Sequence, residues 1–277
     1  MCCRIIQAVS KLYSQLVEDY HLLFPAREAQ LSFLAKLAGE PPARMLDCAS
    51  GTGEYLVALA ARGYEVQGIE LDDVMHERAQ ARHPELAGNF VQGDMVQAGK
   101  LANGPYSLVY CIGNSLAHLA SEAEVASAIK AMWELTQPGG AVVLQIANFE
   151  HALKRGYQAP VTGEFRISGR ETPPGFVFDL PAIAATRENG EHIEFERRYM
   201  LRRAADLSDP QRLPEKLMFH TQLKAGGKKL EAFTPLLLLT CERLKYCLPR
   251  EADREWYGGF GSQSWSESDS ATVVVLH

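Results

Sequence analysis

The first half of this 277-residue chain predicts an α/β fold built on a doubly wound sheet. Three observations carry that reading. Between residues 44 and 151, short apolar runs alternate with helix-like segments, the rhythm of βαβ units. Runs such as Met45-Leu46 and Val142-Val143-Leu144 are apolar without alternation, which suits parallel strands covered on both faces. After His151 the strands are separated by Asn189-Gly190 and Gly226-Gly227, pairs that accept positive φ, so an antiparallel β insertion follows the sheet.

The elements follow in order. Apolar residues at three- and four-residue steps predict a helix over 7–24, interrupted by Pro25, and a second over 26–38 that ends at Gly39. Pro41-Pro42 then forces extended backbone. Strands are expected at 44–48, 65–69, 89–92, 107–112 and 141–147. Helices fill the gaps at 54–61, 73–82 and 122–135, with Asp72 and Ser121 as N-caps. The insertion supplies strands at 176–179, 192–201, 216–225 and 228–234. Thr234-Pro235 resembles an N-cap with proline in the first helical position, which predicts a helix reaching 247. Strands at 254–257 and 271–276 close the sheet edge as an antiparallel hairpin. The expected division is an N-terminal helical cap over 1–42, a core over 43–150, a β insertion over 151–233 and a completing helix and hairpin over 234–277.

Composition narrows the function. Lys and Arg number 28 against 34 Asp and Glu, a net charge of −6, and no long basic run occurs. Nucleic-acid binding is therefore not expected. The longest apolar runs fall far short of the roughly 20 residues that cross a bilayer. Six cysteines occur without a C-x-x-C pair, and no metal site is expected. Residues 1–4 show no charged region followed by an apolar stretch, so the expectation is a cytoplasmic protein with reduced thiols, a monomer or a homodimer.

The most informative segment is Asp47-Cys48-Ala49-Ser50-Gly51-Thr52-Gly53, where a strand runs through glycines into a helix. Glycines let backbone approach a ligand closely, and open α/β sheets bind ligands at the carboxyl ends of their strands. A dinucleotide site would want a third glycine where Leu56 stands, and a carboxylate at Asp47 repels pyrophosphate while favouring an amine or a sulfonium. The next strand ends on Glu70, able to accept hydrogen bonds from both ribose hydroxyls. The third ends on Asp94-Met95, a carboxylate for an adenine amino group beside an apolar side chain, and the fourth runs into Ile112-Gly113-Asn114-Ser115-Leu116-Ala117-His118-Leu119. Four successive strand ends carry ligand-like chemistry.

Together these residues resemble the class I S-adenosylmethionine-dependent methyltransferases, with Gln137-Pro138-Gly139-Gly140 as the turn before the fifth strand. The run from Gly113 to Leu119 resembles the glycine N-methyltransferase-like small-molecule group. The likeness spans about residues 13–150 and implies a Rossmann-like seven-stranded fold with S-adenosyl-L-methionine as cofactor. It puts Ala49 and Gly51 beside the methionine portion, Glu70 on the ribose, Asp94 and Met95 in the adenine pocket, and Ile112 to Ser115 under the sulfonium. Asp47, Ser50, Gly53, Leu71, Met75 and His118 complete the implied cofactor site, with Tyr20 and Arg27 closing over it. Ala147 stands where glycine N-methyltransferases place an arginine for the acceptor carboxylate, so glycine is not the expected acceptor.

The expected activity is methyl transfer to nitrogen or oxygen of a small molecule. Asn114 is the candidate to hold the acceptor, and His118, His220 and Tyr13 are the candidate bases. Arg197, Arg198 and Tyr199 alternate in the insertion, which is expected to select the acceptor as a lid. The rival readings are a methyltransferase acting on protein or RNA, a catalytically silent cofactor-binding module, and a nicotinamide-dependent oxidoreductase.

Overall fold

A computed structural model describes residues 16–159, 175–201, 214–261 and 263–277. In chain order the strands are β1 (Arg44–Cys48), β2 (Glu65–Glu70), β3 (Phe90–Gln92), β4 (Tyr106–Cys111), β5 (Thr136–Ala147), β6 (Tyr157–Ala159), β7 (Gly175–Thr186), β8 (His192–Leu201), β9 (Lys216–Ala225), β10 (Lys228–Leu237), β11 (Arg254–Tyr257) and β12 (Ala271–Leu276). The helices are α1 (Tyr20–Leu23), α2 (Glu28–Ala38), α3 (Glu54–Ala60), α4 (Asp73–Arg82), α5 (Ala98–Leu101), α6 (Glu122–Leu135), α7 (Phe149–Arg155) and α8 (Cys241–Cys247). They group into two compact units. One comprises Phe24–Asn148 with Leu239–His277, the other the described residues up to Leu23 with Phe149–Leu238.

The first unit holds a seven-stranded sheet in the order β11-β12-β5-β4-β1-β2-β3. Strands β1 to β5 pair in parallel, and β12 runs antiparallel between β5 and β11. Leu46, Val109, Val142, Val143, Leu144 and Val273 to Leu276 are completely buried, as the continuous apolar runs require of strands covered on both faces. Strand order turns at β1, with β2 and β3 on one side and β4 and β5 on the other, so the carboxyl end of β1 is the switch point where such sheets bind ligands. Helix α6 begins with a reciprocal cap. The Ser121 hydroxyl accepts the Glu124 N–H at 3.3 Å, and the Glu124 carboxylate accepts the Ala120 N–H at 2.8 Å.

The second unit is a five-stranded antiparallel sheet in the order β10-β9-β8-β7-β6. Gly226 and Gly227 both take positive φ, 56° and 71°, in the two-residue turn between β9 and β10, the conformation their sequence signals. Asp19, 3% exposed, accepts from Arg187 Nε at 2.7 Å and Nη2 at 2.5 Å, tying the N-terminal segment to the β7–β8 hairpin of the same unit.

Several elements differ from the sequence expectation. No helix starts at Thr234-Pro235. Strand β10 runs through both residues to Leu237, because an edge strand tolerates a proline whose missing N–H would face outward. The helix starts instead at Cys241, capped by the Thr240 hydroxyl, which accepts the Arg243 N–H at 3.3 Å. Strand β7 continues to Thr186, beyond the expected 179, and its register shifts between Leu180 and Ile183, where Pro181 cannot donate to the ladder. Strand β5 starts at Thr136, so the residues read as a turn join the ladder through its irregular first pairs with β4. Strand β6 and helix α7 carry too few patterned residues to be read from sequence. Half of the expected helix over 7–24, residues 7–15, lies outside the described residues, which show α1 at its end.

Ser121→Ala, which removes the cap of α6, is expected to cost about 1 kcal/mol. Urea denaturation of both chains checks this, and equal midpoints with equal slopes contradict it.

Candidate active site

The site begins where β1 ends. Asp47 is 3% exposed, and among the described residues its Oδ1 has no hydrogen-bond partner. Burial pushes its carboxyl up to about 8, the nearby Glu70 and Glu54 charges push the same way, and the Tyr110 hydroxyl on the neighbouring strand opposes them. The backbone then turns sharply, with Ala49 at φ 106°, Gly51 at 59° and Gly53 at 90°. Ala49 and Ser50 both donate their N–H groups to Ile69 O, at 2.9 and 3.0 Å, which pins this turn against β2. Glycine is required at Gly53 because a Cβ there would sit 2.7 Å from the Phe90 ring.

Glu70, at the end of β2, organises the next layer. Its Oε2 accepts the Gly51 N–H at 2.8 Å and its Oε1 accepts the Asp72 N–H at 2.9 Å. Burial raises this carboxyl above the usual range, and backbone N–H groups of Asp72, Gly51 and Leu71 oppose that rise. Each oxygen keeps a further acceptor position. The Glu70 carbonyl also accepts the Gly93 N–H at 2.8 Å, tying the end of β3 to the end of β2. Leu71 follows with 47% of its surface exposed, an apolar face beside an acceptor carboxylate. Asp72 caps α4 by accepting the Met75 N–H at 3.0 Å, and Met75 itself is 1% exposed, packed beneath the helix start. Asp94 accepts the Val96 N–H at 2.9 Å, and the half-buried Met95 places Sδ 4.0 Å from Cys111 Sγ.

The end of β4 is held by β5. Gly113 N–H donates to Gln145 Oε1 at 2.6 Å, and Asn114 N–H donates to Gln145 O at 3.3 Å. Asn114 adopts a left-handed φ of 67°, which lets its Oδ1 accept the Ala147 N–H at 2.9 Å. Its amide oxygen is therefore committed to the fold, leaving Nδ2 as the donor for a ligand. Ile112 is buried, and its carbonyl accepts the Ser115 hydroxyl at 3.0 Å. Burial lowers the His118 imidazole to about 4, so the ring is neutral near pH 7.

Arg27 is the N-cap residue of α2 and is exposed. Near it lies Tyr55, on the first turn of α3, whose hydroxyl donates to Gln30 Oε1 at 2.5 Å. Burial pushes this phenol up to about 12, while Arg27 acts in the opposite direction. Sequence reasoning missed Tyr55 and Tyr110, although Tyr55 follows the glycine turn immediately. Tyr20 belongs to the antiparallel unit, whereas the other proposed cofactor residues all belong to the sheet unit. His220 also lies in the antiparallel unit, where it shares a 2.6 Å hydrogen bond with Glu231 and stacks on Phe233. Arg198 pairs with Asp179 at 3.1 Å, and Arg197 donates to Pro181 O at 2.9 Å. Tyr13 lies outside the described residues.

These groups fit the methionine, ribose and adenine parts of S-adenosylmethionine. An unpartnered buried carboxylate oxygen suits an ammonium, spare carboxylate lone pairs suit vicinal hydroxyls, and the exposed Leu71 with the half-buried Met95 suits a base. Residues 45–140 match a family model described as a methyltransferase domain. A dTDP-3-amino-3,6-dideoxy-alpha-D-glucopyranose N,N-dimethyltransferase from Streptomyces fradiae is 32% identical over 147 residues, 53% of this chain and 54% of its own. A glycine N-methyltransferase from Oryctolagus cuniculus is 30% identical over 132 residues, 42% of this chain and 45% of its own. The chain spans about half the length of these curated relatives. The CcbJ methyltransferase from Streptomyces caelestis shares the fold with a TM-score of 0.65 at 19% identity, over 98% of this chain and 97% of that one. Among the described residues, no helix is long and apolar enough to cross a membrane.

The Asp47 carboxyl titrates far above its unfolded value, so the folded chain binds the extra proton and loses stability as pH rises towards about 8. Asp47→Asn is therefore expected to gain stability relative to the parent with each pH unit up to about 8 and to level off above it. Urea denaturation of both chains across that range checks the sign, and curves that stay parallel contradict it. Glu70→Gln turns one acceptor towards a backbone N–H as a donor. It is expected to weaken S-adenosylmethionine binding by about 1 to 3 kcal/mol, and calorimetry showing unchanged affinity contradicts the clamp.

Proposed function

We propose that this chain is an S-adenosylmethionine-dependent methyltransferase that methylates an amine on a small molecule, an amino sugar before glycine. The observation that carries the reading is the pairing at adjacent strand ends of a buried carboxylate with one unpartnered oxygen, Asp47, with a carboxylate fixed by backbone N–H groups, Glu70. The sequence match over 45–140 supports it. When bound, the cofactor supplies an electrophilic methyl group on a sulfonium.

In this reading the chain's own residues bind and orient. Asp47 offers its free oxygen to the α-ammonium, and charge pairing there offsets the cost of a buried carboxylate. Glu70 accepts from the ribose hydroxyls while its other lone pairs hold the two turns. Leu71 and Met95 give apolar faces to the base, Asp94 accepts from its amino group, and Arg27 pairs with the methionine carboxylate. Asn114 Nδ2 holds the acceptor, because its Oδ1 is committed to Ala147.

The preference for nitrogen rests on His118. An imidazole lowered to about 4 is a weak base, whereas an oxygen acceptor needs a base poised near the working pH. An amine that arrives deprotonated needs only positioning. The Streptomyces fradiae relative acts, by its name, on a 3-amino sugar nucleotide, which supports that acceptor class. Ala147 supplies no cation for a free carboxylate, which argues against glycine. We assign acceptor selection to the antiparallel unit and cytoplasmic location to the protein.

Transfer of isotopic label from S-adenosylmethionine to a dTDP-amino sugar, with none to glycine, is the expected outcome of an acceptor screen. Label entering glycine or a hydroxyl overturns the assignment. Asn114→Asp keeps the oxygen that accepts from Ala147 and removes the amide donor. It is expected to lower kcat/KM for the acceptor by about tenfold or more, a larger loss than in cofactor affinity, and equal loss in both contradicts the acceptor role.

A further inference from the structure

Tyr110 stands on β4 opposite Asp47 on β1, one register step beyond the pair Leu46 and Val109. Paired residues of adjacent strands share a face of the sheet. On this face the pair Met45 and Leu108 belongs to a buried apolar cluster that also holds Leu34, Leu56, Val143 and Tyr110 itself, which is 1% exposed.

A ring packed in that cluster needs no hydroxyl, and a phenol oxygen taken out of water without a partner is costly. Other tyrosines of the same unit give theirs to oxygen acceptors. Tyr64 donates to Gly39 O at 3.0 Å, Tyr55 to Gln30 Oε1 at 2.5 Å, and Tyr106 to Gln67 Oε1. Among the described residues, Tyr110 Oη has no bond of ordinary geometry, and neither has Asp47 Oδ1. Two buried polar atoms thus lack partners on side chains that stand at paired positions of neighbouring strands. Such a coincidence calls for a role.

The two groups act on one another. Burial, with Glu70 from β2 and Glu54 from α3, disfavours charge on Asp47, while the Tyr110 hydroxyl favours it. Tyr55 on α3 and the buried thiols of Cys48 and Cys111 are the further titratable neighbours of this carboxyl. Burial holds the Tyr110 phenol well above its ordinary value, and the Asp47 charge adds to the rise, so the hydroxyl keeps its proton and stays a donor. The terminal torsion of an aspartate is broad, so a carboxylate without a donor is loosely aimed. A donor on the strand beside it narrows that freedom, and the bond strengthens once the carboxylate is charged.

We infer that Tyr110 is a positioning residue of the cofactor site, whose hydroxyl donates to the Asp47 carboxylate and holds it, charged and in one orientation, for the α-ammonium. The inference rests on the assignment of Asp47 to that ammonium. Tyr110→Phe keeps the ring in its cluster and removes only the donor.

The test is a cycle of two chains and two ligands, read by calorimetry. The chains are the parent and Tyr110→Phe. The ligands are S-adenosylhomocysteine and the analogue in which hydrogen replaces its α-amino group. S-adenosylhomocysteine is expected to bind Tyr110→Phe about tenfold or more weakly than the parent, while the deaminated analogue binds both chains within about twofold. Equal weakening of both ligands, the mark of a hydroxyl needed only for the fold, overturns the proposal, and so does unchanged affinity for S-adenosylhomocysteine. Carbon NMR of the parent labelled at tyrosine Cζ is independent of the variant's folding. The Tyr110 signal is expected to move on addition of S-adenosylhomocysteine and to move less with the deaminated analogue, and equal movement contradicts the role. A parent chain that binds neither ligand refutes the cofactor reading itself, and one that binds both equally refutes the part given to Asp47. Either result removes the premise of the inference.

Discussion

The carboxylate of Glu70 holds two otherwise independent turns in one geometry. One oxygen accepts a backbone N–H from the turn after β1, and the other accepts one from the turn after β2. The main chain of the same residue accepts the N–H that starts the turn after β3. Three strand ends are thus fixed relative to one another through a single side chain and its carbonyl. Each bond satisfies a donor that a tight turn leaves without a ladder partner. Because charge-assisted bonds are roughly twice as strong as neutral ones, the carboxylate charge is part of the architecture.

Asp47 carries the opposite kind of design. Its carboxyl is enclosed, has one oxygen with no partner among the described residues, and lies near two further acidic side chains, with the Tyr110 hydroxyl as its stabilising neighbour. Such an arrangement costs stability and makes sense where a cation arrives to use it. Asn114 lies between these extremes. Its left-handed backbone and its bond to Ala147 give the β4 turn its shape, and the remaining amide hydrogens are the part available for chemistry.

Much of this was legible in the sequence where the signal is local. Strands β1, β2 and β4 read from short apolar runs because both faces are covered, and Asp47, Glu70 and Asp94 were visible as acidic residues at successive strand ends. Thr234-Pro235 misled because the same dipeptide suits a helix start and an edge strand, and only the sheet order distinguishes them. The double use of Glu70 was hidden, since Gly51 and Asp72 flank it at very different separations in sequence. Asn114 meets Ala147 across a helix and a strand, which no spacing rule reports. Tyr55 and Tyr110 look like ordinary core aromatics until the fold brings both near Asp47. The neutrality of His118 depends on burial that its sequence neighbours do not announce.

The central claim, that the carboxyl ends of β1 to β4 form an adenosyl-sulfonium site, is tested most directly by calorimetric titration of the folded, cofactor-free chain. S-adenosylmethionine and S-adenosylhomocysteine are each expected to bind one per chain, and NAD is expected to give no saturable heat. Absence of binding by both adenosyl ligands, or binding of NAD in their place, contradicts the account.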